Sequence, residues 1–278
     1  MSISIRQPTN PQDYQNYSTQ RLRQEYLLDQ LMVPGESHFV YSHHDRMIAG
    51  GIVPKSPGIT LPSFKELRSD YFLERREMGI INIGGKGSVI ADGQTFALEH
   101  GECVYLGRGT KEVQFQSDAD NKSAHYYIIS TPAHTTHPNT KQTKADATVE
   151  HLGDPEACNE RSIYKFIHPD GIKSCQLVMG YTELKSGSVW NTMPAHRHDR
   201  RSEIYFYFKL PEEARLFHFM GDPDHTRHLV LSNEQGVISP SWSIHAGAGT
   251  AAYSFIWAMG GENQSFADMD FVQMEALY

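Results

Sequence analysis

The stretch Asn191-Thr-Met-Pro-Ala-His196-Arg-His198-Asp-Arg-Arg-Ser-Glu203-Ile-Tyr-Phe-Tyr-Phe208 decides the fold. His196 and His198 are two residues apart, so an extended chain puts both imidazoles on one face, whereas a helix would separate them. Glu203 lies five residues beyond His198, an odd offset that would turn its carboxylate to the wrong face of one unbroken strand. Asp199 to Ser202 are therefore expected to form a turn. The carboxylate then re-enters on a second strand, Ile204 to Phe208, rich in the β-branched and aromatic residues that strands favour. His245 ends a later run, Gly236-Val-Ile-Ser-Pro240-Ser-Trp-Ser-Ile-His245, after two further strand-like segments. Its return to the same place implies a closed β-barrel in which His196, His198, Glu203 and His245 converge on one divalent metal ion. Three imidazoles and one carboxylate suit Zn²⁺, the preferred reading, although Fe²⁺, Mn²⁺, Co²⁺ and Ni²⁺ accept similar sets.

A chain of 278 residues with 39% hydrophobic content can bury a substantial core. The net charge of -8 argues against a broad nucleic-acid or anionic-membrane surface, since either needs clustered Lys and Arg. The three cysteines, Cys103, Cys158 and Cys175, are odd in number and form no Cys-x-x-Cys pair, so they read as reduced thiols of a cytoplasmic protein. The amino terminus lacks the basic start and apolar run of a signal peptide, and no apolar run reaches membrane-spanning length.

Leu22, Tyr26, Leu28 and Met32 recur at near-helical spacing, so a short helix is expected within Tyr14 to Met32, closed by Pro34. Almost everything after it reads as short strands separated by Gly, Asp-Gly and polar turns. The segment from Thr131 to Cys158, rich in Pro, Thr, Asp and Lys, is the expected connector. The fold class is all-β, two antiparallel barrels with a short amino-terminal helix. Residues 1–150 form the first barrel and residues 151–278 the metal-binding second. An internal repeat supports the pair, because Arg75-Arg-Glu77 and the apolar run after it parallel Arg200-Arg-Ser-Glu203 and the strand after that. Aligned on the two glutamates, Asp70, Phe72 and Thr110 replace the three histidines and leave Glu77 alone as a ligand type, so the first barrel is expected to hold no metal.

Other histidines offer less. His134 and His137 sit between Pro132 and Pro138, which disfavours the helix an i, i+3 pair needs. His225 and His228 follow Gly-Asp-Pro-Asp and read as turn residues, while His43 and His44 point to opposite faces if extended. Gly79 to Gly87 misses the P-loop pattern, and no nucleophile elbow is present. The metal is the only well-marked reactive centre.

His-x-His, four residues, Glu, and a distant Gly…Pro…His resemble the paired motifs of the cupin superfamily. Tyr41-Ser-His-His-Asp-Arg46, Tyr71-Phe-Leu-Glu-Arg-Arg-Glu77, Ala133-His-Thr-Thr-His137 and Ser239-Pro-Ser-Trp-Ser-Ile-His245 resemble, more narrowly, the 5-keto-4-deoxyuronate isomerase family. Ser202 and Ala246 depart from it, at positions where methionine and serine are common. The resemblance implies a bicupin of jelly-roll type and a homo-hexamer. It also implies a cytoplasmic aldose–ketose isomerisation of an unsaturated-uronate product, as in pectin breakdown. In such a reaction a cation polarises the carbonyl and spreads enediolate charge while a separate base moves the proton. A uronate carboxylate needs a cationic partner. Arg161 and Lys165, on one face of a strand, or Arg200 beside the metal turn, would supply it, with Trp242, Trp190 and Tyr205 as possible pocket walls. Two other functions use the same four ligands: an iron-dependent dioxygenase, distinguished by oxygen consumption, and a sugar-binding cupin without turnover.

Overall fold

The computed structural model describes residues 3–261 and 265–278, folded into four main β-sheets and a two-stranded ribbon. The first half of the chain builds a seven-stranded sheet in the order Ser4–Arg6, Ser37–Ser42, Ile48–Ile52, Tyr126–Pro132, Arg76–Asn82, Cys103–Leu106, Thr140–Gln142. A four-stranded sheet of Ile59–Thr60, Val113–Ser117, Gly87–Ala91 and Gln94–Leu98 faces it. The second half repeats this order. Its large sheet runs Thr148–Leu152, Arg161–Ile167, Val178–Leu184, Ser254–Gly261, Arg201–Phe208, Gln235–Ser239, and its small sheet Trp190–Asn191, Ile244–Gly249, Leu216–Asp222, His225–Leu231. The seventh place in the second large sheet is taken by Leu27–Leu28 from near the amino terminus, which pair with Val237 and Gly236.

Alternation of side chains explains the layering. In Arg201–Phe208, Tyr205 and Tyr207 point into the second sandwich with Leu216, Met220 and Trp257. Ile204, Phe206 and Phe208 point the other way, into a layer shared with Tyr127, Ile129 and Ile81 of the first large sheet. The two large sheets are thus packed back to back and buried on both faces, which is why Arg76–Asn82 and Arg201–Phe208 are buried at every position. Tyr127 and Phe206 stack across this layer at 4.3 Å between ring centroids. Gly79 permits the close approach, because a Cβ there would lie 2.6 Å from Met179 Sδ.

Several expectations change. Among the described residues no ladder joins a large sheet to its small partner, so each half is a sandwich of facing open sheets and not a hydrogen-bonded closed barrel. The helix covers only Thr19–Tyr26, with the Ser18 hydroxyl accepting from Arg21 N–H, because Leu27 and Leu28 leave it to join the sheet. The connector is structured: Thr140–Gln142 pairs into the first large sheet and Thr148–Leu152 opens the second. His225 and His228 lie on the strand His225–Leu231, not in a turn. No helix among the described residues is long and apolar enough to cross a membrane.

Glu77 does not mirror Glu203. Its neighbours Met78 and Ile80 face the interior of the first sandwich, so Glu77 faces outward, toward the second half. Aligning the glutamates shifts one strand by an odd number, and an odd shift exchanges the faces. The Glu77 carboxylate is fully buried and accepts the backbone N–H groups of Cys175 at 2.7 Å, Gln176 at 2.8 Å and Leu177 at 2.9 Å. It also accepts the hydroxyls of Tyr105 at 2.8 Å and Thr131 at 3.1 Å. Five donors around one carboxylate satisfy its lone pairs without water, and they pin the chain that enters Val178–Leu184 against the first sheet. Glu77→Ala strands these donors and is expected to cost roughly 3–5 kcal/mol, with Glu77→Gln costing about 1–3 kcal/mol. Urea unfolding of both variants tests this, and unchanged midpoints would show that the carboxylate is dispensable.

Candidate metal centre

Three elements deliver the four predicted ligands. His196 belongs to the two-residue strand His196–Arg197, and His198 follows it directly. A turn at Asp199 and Arg200 leads into Arg201–Phe208, which carries Glu203 in the large sheet. His245 comes from Ile244–Gly249 in the facing small sheet. Facing sheets, not closure of a barrel, bring it over Glu203. All four side chains are buried, and their ligand atoms lie within 4.8 Å of one another. The Nε2 atom of His196 is 3.2 Å from that of His198 and 3.0 Å from that of His245. Glu203 Oε2 is 3.2 Å from His198 Nε2 and 3.0 Å from His245 Nε2.

The other ring nitrogens explain what these atoms can hold. His198 Nδ1 sits 3.2 Å from the backbone carbonyl of Asp268, an acceptor, so that nitrogen carries the proton and donates. His245 Nδ1 lies 3.4 Å from Ser239 Oγ. A proton on Nδ1 leaves Nε2 with a lone pair facing the other three ligand atoms. Burial first, then the imidazoles of His245 and His198, push the pKa of His196 down to about 2, so His196 is neutral. Burial works to raise the pKa of Glu203, but with no ion between them the charge and N–H groups that His245 and His198 can turn toward it outweigh burial and hold the carboxylate below its ordinary range. Buried lone pairs aimed at one point repel unless a cation lies between them. Metal–nitrogen bonds of about 2.1 Å place neighbouring ligands roughly 3.0–3.4 Å apart, which the observed spacing fits.

A cavity of about 260 Å³ opens onto three members of the quartet, His196, His198 and Glu203. His196, His198, Glu203, Tyr205, Thr192, Phe255, Trp257 and Phe271 are among its lining residues, and so are Glu150 and Arg161 from the far strands of the large sheet. Arg161 is therefore brought to the site, with its guanidinium also donating to the Asn159 carbonyl at 2.9 Å. Lys165 shares the face of Arg161–Ile167 but is buried in an ion pair with Glu150 at 2.5 Å and is not on the lining. Arg200 is turned to Asp268 at 2.6 Å. Trp242 packs on Tyr14 at 4.7 Å, and Trp190 on Phe219 at 6.0 Å; neither lines the cavity. Tyr205, by contrast, stands beside His245, with its hydroxyl 3.0 Å from Thr192 Oγ1.

Sequence reading missed the supports, which lie far away along the chain. Asp45, inside the Tyr41–Arg46 motif, accepts the backbone N–H of Ser202 at 2.6 Å and so steadies the residue next to Glu203. His218, fully buried and bonded through Nδ1 to the Tyr207 hydroxyl at 2.7 Å, is held neutral by burial and by His245, its pKa lowered to about 3. Asp268 and Arg201 pair beside His198. Only the Asp45 motif left a sequence signal, through the resemblance, and it gave no hint of the role.

Comparison with known proteins places the chain in a family. The model of the KduI/IolB family matches residues 31–274. Proteins of Bacillus pumilus and Caldicellulosiruptor bescii, each named 4-deoxy-L-threo-5-hexosulose-uronate ketol-isomerase, are 50% identical to this chain. The first alignment covers 98% of both chains, and the second 99% of this chain and all of the relative. Among solved structures, an IolB-like protein from Salmonella typhimurium LT2 superposes with a TM-score of 0.66 at 17% identity, covering 81% of this chain and 87% of that one. Oxalate decarboxylase of Lactobacillus farciminis superposes with a TM-score of 0.56 at 10% identity, covering 79% and 78%. At such identities the structures speak for the cupin-like fold alone, whereas the family match and the relatives together settle kinship: the chain belongs to the KduI/IolB family.

Proposed function

We propose that this chain is the ketol-isomerase that converts 5-dehydro-4-deoxy-D-glucuronate (4-deoxy-L-threo-5-hexosulose uronate) to 3-deoxy-D-glycero-2,5-hexodiulosonate. The observation that carries the reading is a buried three-imidazole, one-carboxylate cluster at the end of a cavity, in a chain half identical over nearly its whole length to named ketol-isomerases. The reaction class is an intramolecular oxidoreduction, in which hydrogen moves between adjacent carbons and no external oxidant is used. His196, His198, Glu203 and His245 would hold one divalent ion, zinc by preference, because neutral imidazoles and a carboxylate suit it. When bound, such an ion supplies Lewis acidity to a carbonyl oxygen.

The remaining residues have roles set by their own chemistry. Glu203, committed to the cluster, is not free to serve as the base. Tyr205 is pushed well above its ordinary pKa, chiefly by burial and then by Glu203 beside it, so its phenol keeps its proton and offers a neutral donor on the cavity wall. Arg161 is the lining cation and would receive the uronate carboxylate in a fork-like contact that a lysine does not reproduce. Lys165, Arg200 and Trp242 would act on substrate only indirectly, given their present partners. Phe255, Trp257 and Phe271 add apolar wall, which strengthens the polar contacts beside it.

The two sandwiches, with the same strand order, are read as two cupin-type units, a metal-free one in residues 1–150 and a metal-binding one in residues 151–278. The free cysteines support a cytoplasmic setting for the step, downstream of pectin-type lyases, and a homo-hexamer is the assembly proposed.

The direct test feeds the aldehydic uronate to purified, metal-quantified protein and follows the ketose by NMR. The wild type is expected to convert it, while His245→Ala loses the metal and at least about 100-fold in turnover, the scale of one lost electrostatic stabiliser. No conversion by fully metallated wild type would sink the assignment. Arg161→Gln is expected to lower kcat/KM by roughly 10- to 100-fold, mostly through KM, with metal content unchanged. An unaltered KM would remove Arg161 from the substrate site.

A further inference from the structure

We propose that Asp268 is a positioning residue for the metal centre, setting the ring of His198 with its backbone carbonyl while its carboxylate locks that carbonyl in place. The proposal rests on the reading that the quartet binds a divalent ion, and it goes beyond that reading by assigning control of the ligand to a segment outside both large sheets. The carbonyl accepts His198 Nδ1–H at 3.2 Å, and among the described residues this bond fixes which His198 nitrogen faces the cluster. Both carboxylate oxygens are occupied by the turn between the ligands. Oδ2 takes Arg200 Nη2 at 2.6 Å, and Oδ1 takes Nη2 of Arg201, whose side chain is wholly buried. Arg201 Nη2 also donates to the Phe266 carbonyl at 2.9 Å, so one guanidinium grips two points of the segment.

The far end of the segment is tied as well. Phe271 and Asp270 pair with His196 and Arg197, and Val272 N–H donates to the Ala195 carbonyl at 2.9 Å. The carboxy-terminal segment therefore touches His196 through a ribbon and His198 through Asp268, and it lays Phe266, Met269 and Phe271 along the cavity. His198, Arg200 and Arg201 are near neighbours in sequence, so the pair Arg201–Asp268 closes a small ring through the ligand itself. A shift of Asp268 moves the acceptor away from Nδ1 and frees the His198 ring to take the other tautomer. Charge pairing at the buried guanidinium is what opposes that shift.

The test is a competition titration with a chromophoric chelator, using zinc and separately cobalt, on wild type, D268A, D268N and D92A. D92A is the control for general destabilisation, since Asp92 accepts the N–H groups of Lys111 and Glu112 in the first sandwich, away from the cluster. D268A is expected to bind zinc roughly 10- to 100-fold more weakly. D268N, which keeps the side chain's size and one acceptor oxygen for the arginines but loses the charge, should fall between D268A and wild type, and D92A should bind as wild type while melting lower. Wild-type zinc affinity in both Asp268 variants would overturn the proposal, as would an equal loss in D92A. A wild type that binds neither zinc nor cobalt would overturn it together with the reading on which it rests. If D268A does not fold, D268N and D92A alone decide the matter by the same comparison.

Discussion

Four buried electron-rich atoms held within 4.8 Å of one another are the constraint on which this structure turns. Their lone pairs repel, and removing a carboxylate from water is costly, so nothing local would gather them. The backbone gathers them. Two ligands come from a short ribbon, one from a central strand of the large sheet and one from the facing small sheet, so the site exists only where both sheets of the second sandwich are in register. The large sheet is held flat against its counterpart by the layer containing Tyr127, Phe206 and Ile129. Glu77 makes the same junction polar and directional, with five donors on one carboxylate, while the apolar layer is forgiving about orientation. The first half of the protein, which brings no ligand, thus serves the site by fixing the sheet from which Glu203 projects and by supplying Asp45 to Ser202.

Electrostatics then divides the labour within the cavity. The same burial that keeps His196 and His218 neutral keeps the phenol of Tyr205 protonated, so around the cluster stand groups that donate lone pairs and one that donates a proton. Arg161 is set apart from them, toward Glu150 and Leu152 on the far strands. A substrate with an electrophilic end and an anionic end matches that separation.

The quartet was legible in the sequence because its information is short-range: a spacing of two, an odd offset, a turn and an aromatic strand. The all-β class followed from similar local patterns. What escaped had to do with pairs far apart in the chain. Leu28 continues the near-helical spacing of Leu22 and Tyr26, but the edge beside Val237 and Gly236 draws it and Leu27 into a sheet. Glu77 looked like a second Glu203 because the motif around it is similar, but facing is decided by register, and register by partners in Tyr126–Pro132 and Cys103–Leu106. Asp268 and Arg201 are 67 residues apart, and Asp45 and Ser202 157 apart. No periodicity links such residues, so neither clamp could be read from the chain. Arg161 and Lys165 share a face as their spacing suggested, yet the neighbouring Glu150 draws off one of them, which a single strand does not reveal.

The pairing of Leu27–Leu28 with Gly236 and Val237 also ties the order of synthesis to the order of assembly. A ribosome delivers that segment first and its partner strand some two hundred residues later, so the outer edge of the second sandwich waits for the last part of the chain to emerge. In the interval two adjacent leucines, fully or nearly buried in the finished protein, have no partner and remain available to other apolar surfaces. Non-local closure of this kind slows folding, because the pairing is made only after the whole intervening chain has been delivered.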